Sequence, residues 1–376
     1  MNSSVQPAPP AWASSGGVPR LRLAWVEEWM SMLAREMLPY LAQRHDIYYV
    51  TAGREIPAAP FAGVLRARRW RTMNLAGFEL ARRVNALYRQ RCIDGALVWG
   101  SIGFALTRMP FINLEGTSVF AEIELFASRM PWHRRWHFLT GLIHYALPER
   151  VCNRRARRTI VPSEALRRDV LRLHRLSPER VAVVPHGVEP QHLALYRDKP
   201  ADLRPKLLFI GRLHFRKGLL PILEAYARRR DIDAEFLIAG DGPERPQVEQ
   251  IAAADRRVRV LGQVDRQRLL LLLRDTNVFV FPTFYEGFGL ALTEAMASGH
   301  ACLSYDIPVV REVLDDTGVL VPLADAAALV DEVGKLVSRP EQIADCAARA
   351  HQRAAQFSWD EARLAIERII CETLGR

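Results

Sequence analysis

No apolar stretch in this 376-residue chain reaches the roughly 18–20 residues that a membrane-spanning helix needs. The longest candidates, around His137–Leu147 and Leu269–Leu273, are short and flanked by arginine. Cysteine is scarce. Cys92, Cys152, Cys302, Cys346 and Cys371 are odd in number and widely spaced, which excludes a disulfide framework and a CxxC metal knuckle. That usage fits a cytoplasmic protein. Lysine is almost missing, appearing only as Lys199, Lys206, Lys217 and Lys335, so arginine carries the positive charge. The opening residues lack the basic segment followed by an apolar one that marks a secretion signal, and residues 1–19 read as a disordered Pro/Ser/Ala leader. A GxxxxGK[ST] phosphate loop and a nucleophile elbow with its Ser-His-Asp partners are also absent. His133, His137 and His144 show no metal-ligand spacing.

What is present is a soluble globular balance, 49% apolar and 25% charged, in a chain long enough for two domains. The net charge of +10 is unevenly placed. Residues 1–160 hold 22 arginines against 11 carboxylates, and the remainder is close to neutral. The arginines cluster at Arg66, Arg68, Arg69, Arg71, Arg82, Arg83, Arg89 and Arg91. They cluster again at Arg129, Arg134, Arg135, Arg150, Arg154, Arg155, Arg157 and Arg158. Trp70, Trp132 and Trp136 sit within these runs. Two readings stand side by side: a solvated, arginine-biased surface, and docking on an anionic membrane surface, which Trp and Arg together suit. Nucleic acid is set aside, because no helix-turn-helix, zinc finger or RNP-like aromatic pattern accompanies the charge.

Short apolar runs alternate with amphipathic stretches, the pattern of a parallel sheet covered by helices. In the first half, strands are expected at Leu21–Val26, Asp46–Thr51, Gly95–Trp99, Phe111–Leu114, Arg158–Val161 and Val181–Val184. A polar stretch, Tyr196–Pro205, reads as a linker. Beyond it, strands are expected at Leu207–Ile210, Glu235–Ala239, Val258–Leu261, Asn277–Phe281 and Ala301–Ser304. Ser358-Trp359-Asp360-Glu361 is a capping box that opens a last helix. The expected fold class is α/β, two doubly wound Rossmann-like domains facing across a cleft.

Four segments of the second half put glycine or small polar residues just after an expected strand, where open α/β sheets bind ligands. In Gly211-Arg212-Leu213-His214-Phe215-Arg216-Lys217-Gly218, two cations, Arg212 and Lys217, stand beside a tight turn ahead of a helix, which suits a phosphate. Gly240-Asp241-Gly242-Pro243 is a second glycine turn. The most informative segment runs from Pro282 through Glu286-Gly287-Phe288-Gly289-Leu290 to Glu294: a buried strand, a glycine loop, then a helix whose free N–H groups attract phosphate. Glu286 and Glu294 beside an anion site make sense as acceptors from sugar hydroxyls. Ala297–Ser304 completes the rim. His186 and His214 read as structural or binding residues.

Taken together, GRLHFRKG, AGDGP, EGFGLALTE and EAMASGHACLSYDIPVVREV resemble the retaining family-4 glycosyltransferases of the GT-B fold. The match is dense from about Val151 to Leu323. The resemblance implies an acceptor-side domain over 20–195, a nucleotide-sugar domain over 205–355, and a helix over 356–376 packing back toward the first domain. It implies that Arg212 and Lys217 hold the diphosphate, supported by the backbone of Gly211, Gly240, Gly242 and Gly287 to Leu290. Glu294 would take the ribose hydroxyls and Glu286 those of the donated sugar. No cofactor or metal is implied, because two cations and a helix N-terminus replace Mg²⁺.

Two departures from the family stand out. The first strand runs straight into Glu27-Glu28-Trp29, without a glycine-rich turn, and Glu115 stands where the family commonly has a histidine. Glu115 is a catalytic candidate, with Arg212, Lys217 and Glu286. The implied reaction moves a sugar from a UDP- or GDP-linked donor to a glycan, lipid or small-metabolite acceptor, in cell-surface glycan or specialised-metabolite synthesis. The alternative is a non-catalytic GT-B partner protein that binds nucleotide-sugar without turnover. The expected location is cytoplasmic, with peripheral association on the inner membrane face as an option.

Overall fold

The computed structural model describes residues 19–68, 73–106, 109–127, 142–200 and 203–375. Trp70, Trp132, Trp136, Arg69, Arg71, Arg129, Arg134, Arg135, His133, His137 and residues 1–18 of the expected leader lie outside the described residues. The chain forms two compact units. The first holds residues up to Val161, Asp169–Val184 and the chain from Arg363; the second holds Pro162–Arg168 and Pro185–Ala362.

The first unit is built on seven parallel strands: β1 (Arg22–Glu27), β2 (Asp46–Thr51), β3 (Gly63–Arg66), β4 (Gly95–Trp99), β5 (Phe111–Leu114), β6 (Arg158–Val161) and β7 (Val181–Val183). They lie in the order β3-β2-β1-β4-β5-β6-β7. Leu23, Ala24, Trp25 and Val26 are fully buried, as expected of a strand covered on both faces. Ser31 caps the helix Met32–Arg44 by accepting from Ala34 N–H at 3.0 Å.

The second unit has six parallel strands: β8 (Lys206–Ile210), β9 (Glu235–Ala239), β10 (Val258–Gly262), β11 (Val278–Phe281), β12 (Ala301–Tyr305) and β13 (Val319–Val321). Their order is β10-β9-β8-β11-β12-β13. Leu207, Phe236, Phe279 and Leu303 form the fully buried middle of the sheet. Two doubly wound parallel sheets are thus in place. The described residues contain no helix long and apolar enough to cross a membrane, and the five cysteines are free thiols.

Three boundaries differ from those expected. Residues 162–168 belong to the second unit, where Ser163 Oγ donates to the Gly287 carbonyl at 2.7 Å. Residues 185–195 belong there too, because Val188 N–H donates to the Phe357 carbonyl at 2.9 Å. The first residues of the stretch read as a linker pack onto the same unit: Tyr196 stacks on His351 at 4.2 Å and Lys199 Nζ donates to the Leu273 carbonyl at 2.7 Å. The last helix, Trp359–Leu374, has its capping serine, with Glu361 N–H 3.4 Å from Ser358 Oγ. From Arg363 onward it packs in the first unit, through Arg363–Glu36 at 2.8 Å and Tyr40 Oη to Glu367 at 2.5 Å.

Candidate functional site

In the second sheet the strand order reverses between β8 and β11. The crevice beyond the carboxyl ends of such a pair is where open α/β sheets hold ligands. Two loops rise there. After β8, Gly211–Gly218 contains one turn of 3₁₀-helix, Phe215–Lys217, ahead of the helix Leu219–Arg228. His214 closes this turn by accepting from Arg216 N–H through Nδ1 at 3.3 Å, a structural role. After β11, Pro282–Gly289 leads into the helix Leu290–Ala297.

The two loops are stitched together. Phe284 N–H donates to the Arg216 carbonyl at 2.9 Å. Gly218 holds φ at +64°, and a Cβ there would overlap the Pro282 carbonyl oxygen. Glycine therefore meets both a left-handed backbone and a close approach at this point. The turn after β9 backs the first loop: a Cβ on Gly240 would overlap the Gly211 carbonyl, and one on Gly242 the Leu213 carbonyl. Gly211 N–H in turn donates to the Ala239 carbonyl at 3.0 Å.

The charges at this junction are partly committed. Lys217 Nζ is ion-paired with Glu286 Oε1, with the two side chains 18% and 11% exposed. Arg212 is exposed and has no ion pair among the described residues. The helix Leu290–Ala297 starts from Gly289, φ +94°, which offers no side-chain acceptor to the first-turn N–H groups. Those groups carry partial positive charge. With Lys217 neutralised by Glu286, the standing positive potential comes from Arg212 and the helix start. Phe288 is anchored, its ring 5.3 Å from His186 and 5.5 Å from Phe357, which fixes the backbone of the loop at this point. His186 also stacks on Trp359, and burial pulls its imidazole down to about 4, which keeps it neutral.

Glu294 lies one turn into the helix Leu290–Ala297. Its carboxylate has no hydrogen-bond partner among the described residues. Burial, reinforced by the nearby charge of Glu189 and eased by Arg266, pushes it up to about 7. Glu189 and Arg266, which form an ion pair, were not candidates from the sequence. The turn Pro185-His186-Gly187-Val188 drew attention to its histidine, and nothing in the spacing pointed to the carboxylate that follows.

Glu115 lies in the first unit, just past β5, in a buried polar cluster. Its Oε2 accepts from Asn113 Nδ2 at 2.8 Å and Asn153 Nδ2 at 3.1 Å. Burial, with the Glu149 carboxylate nearby, raises the Glu115 carboxyl well above its ordinary range. Glu149 is itself held by Ser118 Oγ at 2.7 Å, Val119 N–H at 2.7 Å and His174 Nε2 at 3.0 Å. This environment favours a protonated Glu115. A protonated carboxyl donates a hydrogen bond, as a neutral imidazole does.

Residues 30–192 match the family model described as Glycosyltransferase Family 4, and residues 204–339 match Glycosyl transferases group 1. The chain belongs to glycosyltransferase family 4. This family-4 chain is similar to the phosphatidyl-myo-inositol mannosyltransferase of Mycolicibacterium smegmatis, 33% identical over 197 residues that cover 50% of each chain. It spans about half the length of the curated relatives it matches. Among solved structures, sucrose-phosphate synthase from Thermosynechococcus elongatus superposes with a TM-score of 0.75 at 19% identity, covering 94% of this chain and 99% of that one. Anabaena HepE in complex with UDP-glucose gives 0.72 at 15% identity, covering 94% and 100%. At these identities the likeness concerns the fold, which is GT-B.

Proposed function

We propose that this chain is a retaining glycosyltransferase that moves a sugar from a UDP- or GDP-linked donor to a hydroxyl or similar nucleophile of an acceptor. The observation that carries this reading is the stitching of the β8 and β11 loops at the point where strand order reverses. It sets Lys217 against Glu286, with Arg212 earlier in the first loop and the helix Leu290–Ala297 directly after the second. Such a place is built to stabilise the charge that develops on a departing diphosphate. A neighbour in fold solved with UDP-glucose supports a nucleotide-sugar as the ligand.

Arg212 and the uncapped N–H groups of the helix start receive the diphosphate, and Lys217 joins them by leaving Glu286. Glu286 is then free to accept from hydroxyls of the donated sugar, and Glu294 from those of the ribose. In the transfer step the bond from the anomeric carbon to the phosphate oxygen breaks. The acceptor oxygen bonds the same carbon from the same face, and its proton passes to the leaving phosphate. No protein nucleophile and no metal ion enters this route. Glu115 serves on the acceptor side by orienting a hydroxyl. A relative named phosphatidyl-myo-inositol mannosyltransferase favours a lipid-linked acceptor. The arginine excess in the first 160 residues suits docking of that half on an anionic membrane surface.

Calorimetric titration with UDP- and GDP-sugars, followed by product analysis over an acceptor panel, tests the reading. A glycoside of unchanged anomeric configuration is expected from one donor class. Inverted product overturns the mechanism, and tight donor binding without hydrolysis or transfer overturns the activity.

A further inference from the structure

We propose that Glu189 is a second carboxylate for the ribose of the donor, taking one ring hydroxyl while Glu294 takes the other. This rests on the nucleotide-sugar reading above.

Glu189 stands at the start of the short helix Pro190–Leu195, which packs against both the helix Leu290–Ala297 and the helix Arg266–Asp275. One of its oxygens is committed: Oε2 is ion-paired with the Arg266 guanidinium and accepts from Gln191 Nε2 at 3.1 Å. The other, Oε1, is buried and has no donor among the described residues. Leaving a buried acceptor unsatisfied costs about 1–3 kcal/mol, so this oxygen marks a position where a donor is wanted.

Glu294, on the facing helix, is half-buried, and its carboxylate has no hydrogen-bond partner among the described residues. The two carboxylates sense each other, since Glu189 is the main charge acting on Glu294, with Arg266 opposing it. With Glu294 ionised, two carboxylates and one cation leave a net negative site. A phosphate, which here could only accept, is repelled from it. A pair of neighbouring hydroxyls brings two O–H donors without adding charge. Glu294 lies four residues into its helix, about 6 Å along the axis from the N–H groups assigned to the diphosphate. That offset leaves room for a sugar ring beside the diphosphate, and on the nucleotide-sugar reading the ring at Glu294 is the ribose.

The test is calorimetric titration of the full chain with UDP and GDP, and with the 2′-deoxy and 3′-deoxy forms of whichever binds. For Glu189→Gln the ribonucleotide is expected to bind about tenfold more weakly, while one of the two deoxy forms binds as it does to the wild type. That selective loss identifies the hydroxyl Glu189 receives. Equal weakening of all three nucleotides, or no weakening, overturns the proposal and assigns Glu189 to structure alone. If Glu189→Gln does not fold, Glu189→Asp, which draws the carboxylate back by one methylene, gives the same readout. A wild-type chain that binds neither UDP nor GDP overturns the nucleotide-sugar reading itself and this proposal with it. A chain that binds nucleotide without distinguishing the variant overturns only the role of Glu189.

Discussion

Glu286→Gln keeps the shape of the side chain and removes the charge that Lys217 faces in the unliganded protein. The pair is neither solvated nor fully buried, with side chains 18% and 11% exposed. Exposed pairs contribute at most about 1 kcal/mol, and removing one partner of a fully buried pair costs about 3–5 kcal/mol. A value of about 1–2 kcal/mol therefore describes what an incoming diphosphate must overcome to take Lys217 from Glu286. Removing the competitor is expected to tighten binding of the plain nucleoside diphosphate by about 5–30-fold. Transfer from the nucleotide-sugar should nevertheless fall by about 10²-fold, because the contact with the donated sugar is lost. Calorimetry with UDP or GDP and initial rates with the matching donor read the two effects separately. Their opposite signs are the signature of a shared lysine. Weaker binding of the plain diphosphate to Glu286→Gln would refute the competition.

Other residues give further expectations. Gly218→Ala forces a side chain into a left-handed backbone and against the Pro282 carbonyl; a loss of about 2 kcal/mol or more in urea unfolding is expected, with weakened nucleotide binding, and wild-type values for both would contradict the close approach. Glu294, held at about 7, should accept ribose hydroxyls best when ionised, so nucleotide affinity is expected to rise from pH 6 to pH 8, and Glu294→Gln should flatten that profile. Because its folded carboxyl is raised, the stability tied to that group is full below the ordinary carboxyl range and is lost as pH rises through about 7. Glu294→Gln should therefore melt above the wild type at pH 8 and level with it at pH 4, and a pH-independent difference would count against burial as the cause. Glu115→Gln substitutes an amide for a carboxyl that burial already favours as neutral; thermal stability is expected to hold within about 1 kcal/mol while transfer falls with nucleotide affinity unchanged. A large drop in melting temperature would instead show that the carboxyl's own proton holds the cluster together.

Much of the scaffold is legible in the chain because a parallel strand buried on both faces must be apolar throughout. Runs such as Leu23–Val26 and Val278–Phe281 satisfy that demand and little else. The strands that escaped are short and poorly buried, as is β7, which the apolar run Val181–Val184 makes legible all the same. β3 alternates half-exposed and exposed residues, and β13 has three residues of which one is buried. The helix Arg266–Asp275 was hidden for a related reason: its leucine run reads as an apolar stretch between arginines, yet only Leu272 and Leu273 are buried.

The chemistry divides along a similar line. Glycines that permit close approach and cations beside a turn are local features, so Gly211, Arg212, Lys217, Gly218 and the Glu286–Glu294 segment stand out from the order of residues alone. Which charges meet is a matter of strand order. Lys217 and Glu286 are 69 positions apart and become partners because β8 lies beside β11. Glu189 acts on the charge of Glu294 because the short helix it starts packs against that of Glu294. Protonation follows the same rule, since the raised carboxyls of Glu115 and Glu294 come from removal of water and from neighbours distant in the chain. Burial and proximity are properties of the folded assembly, and only tertiary structure could decide them.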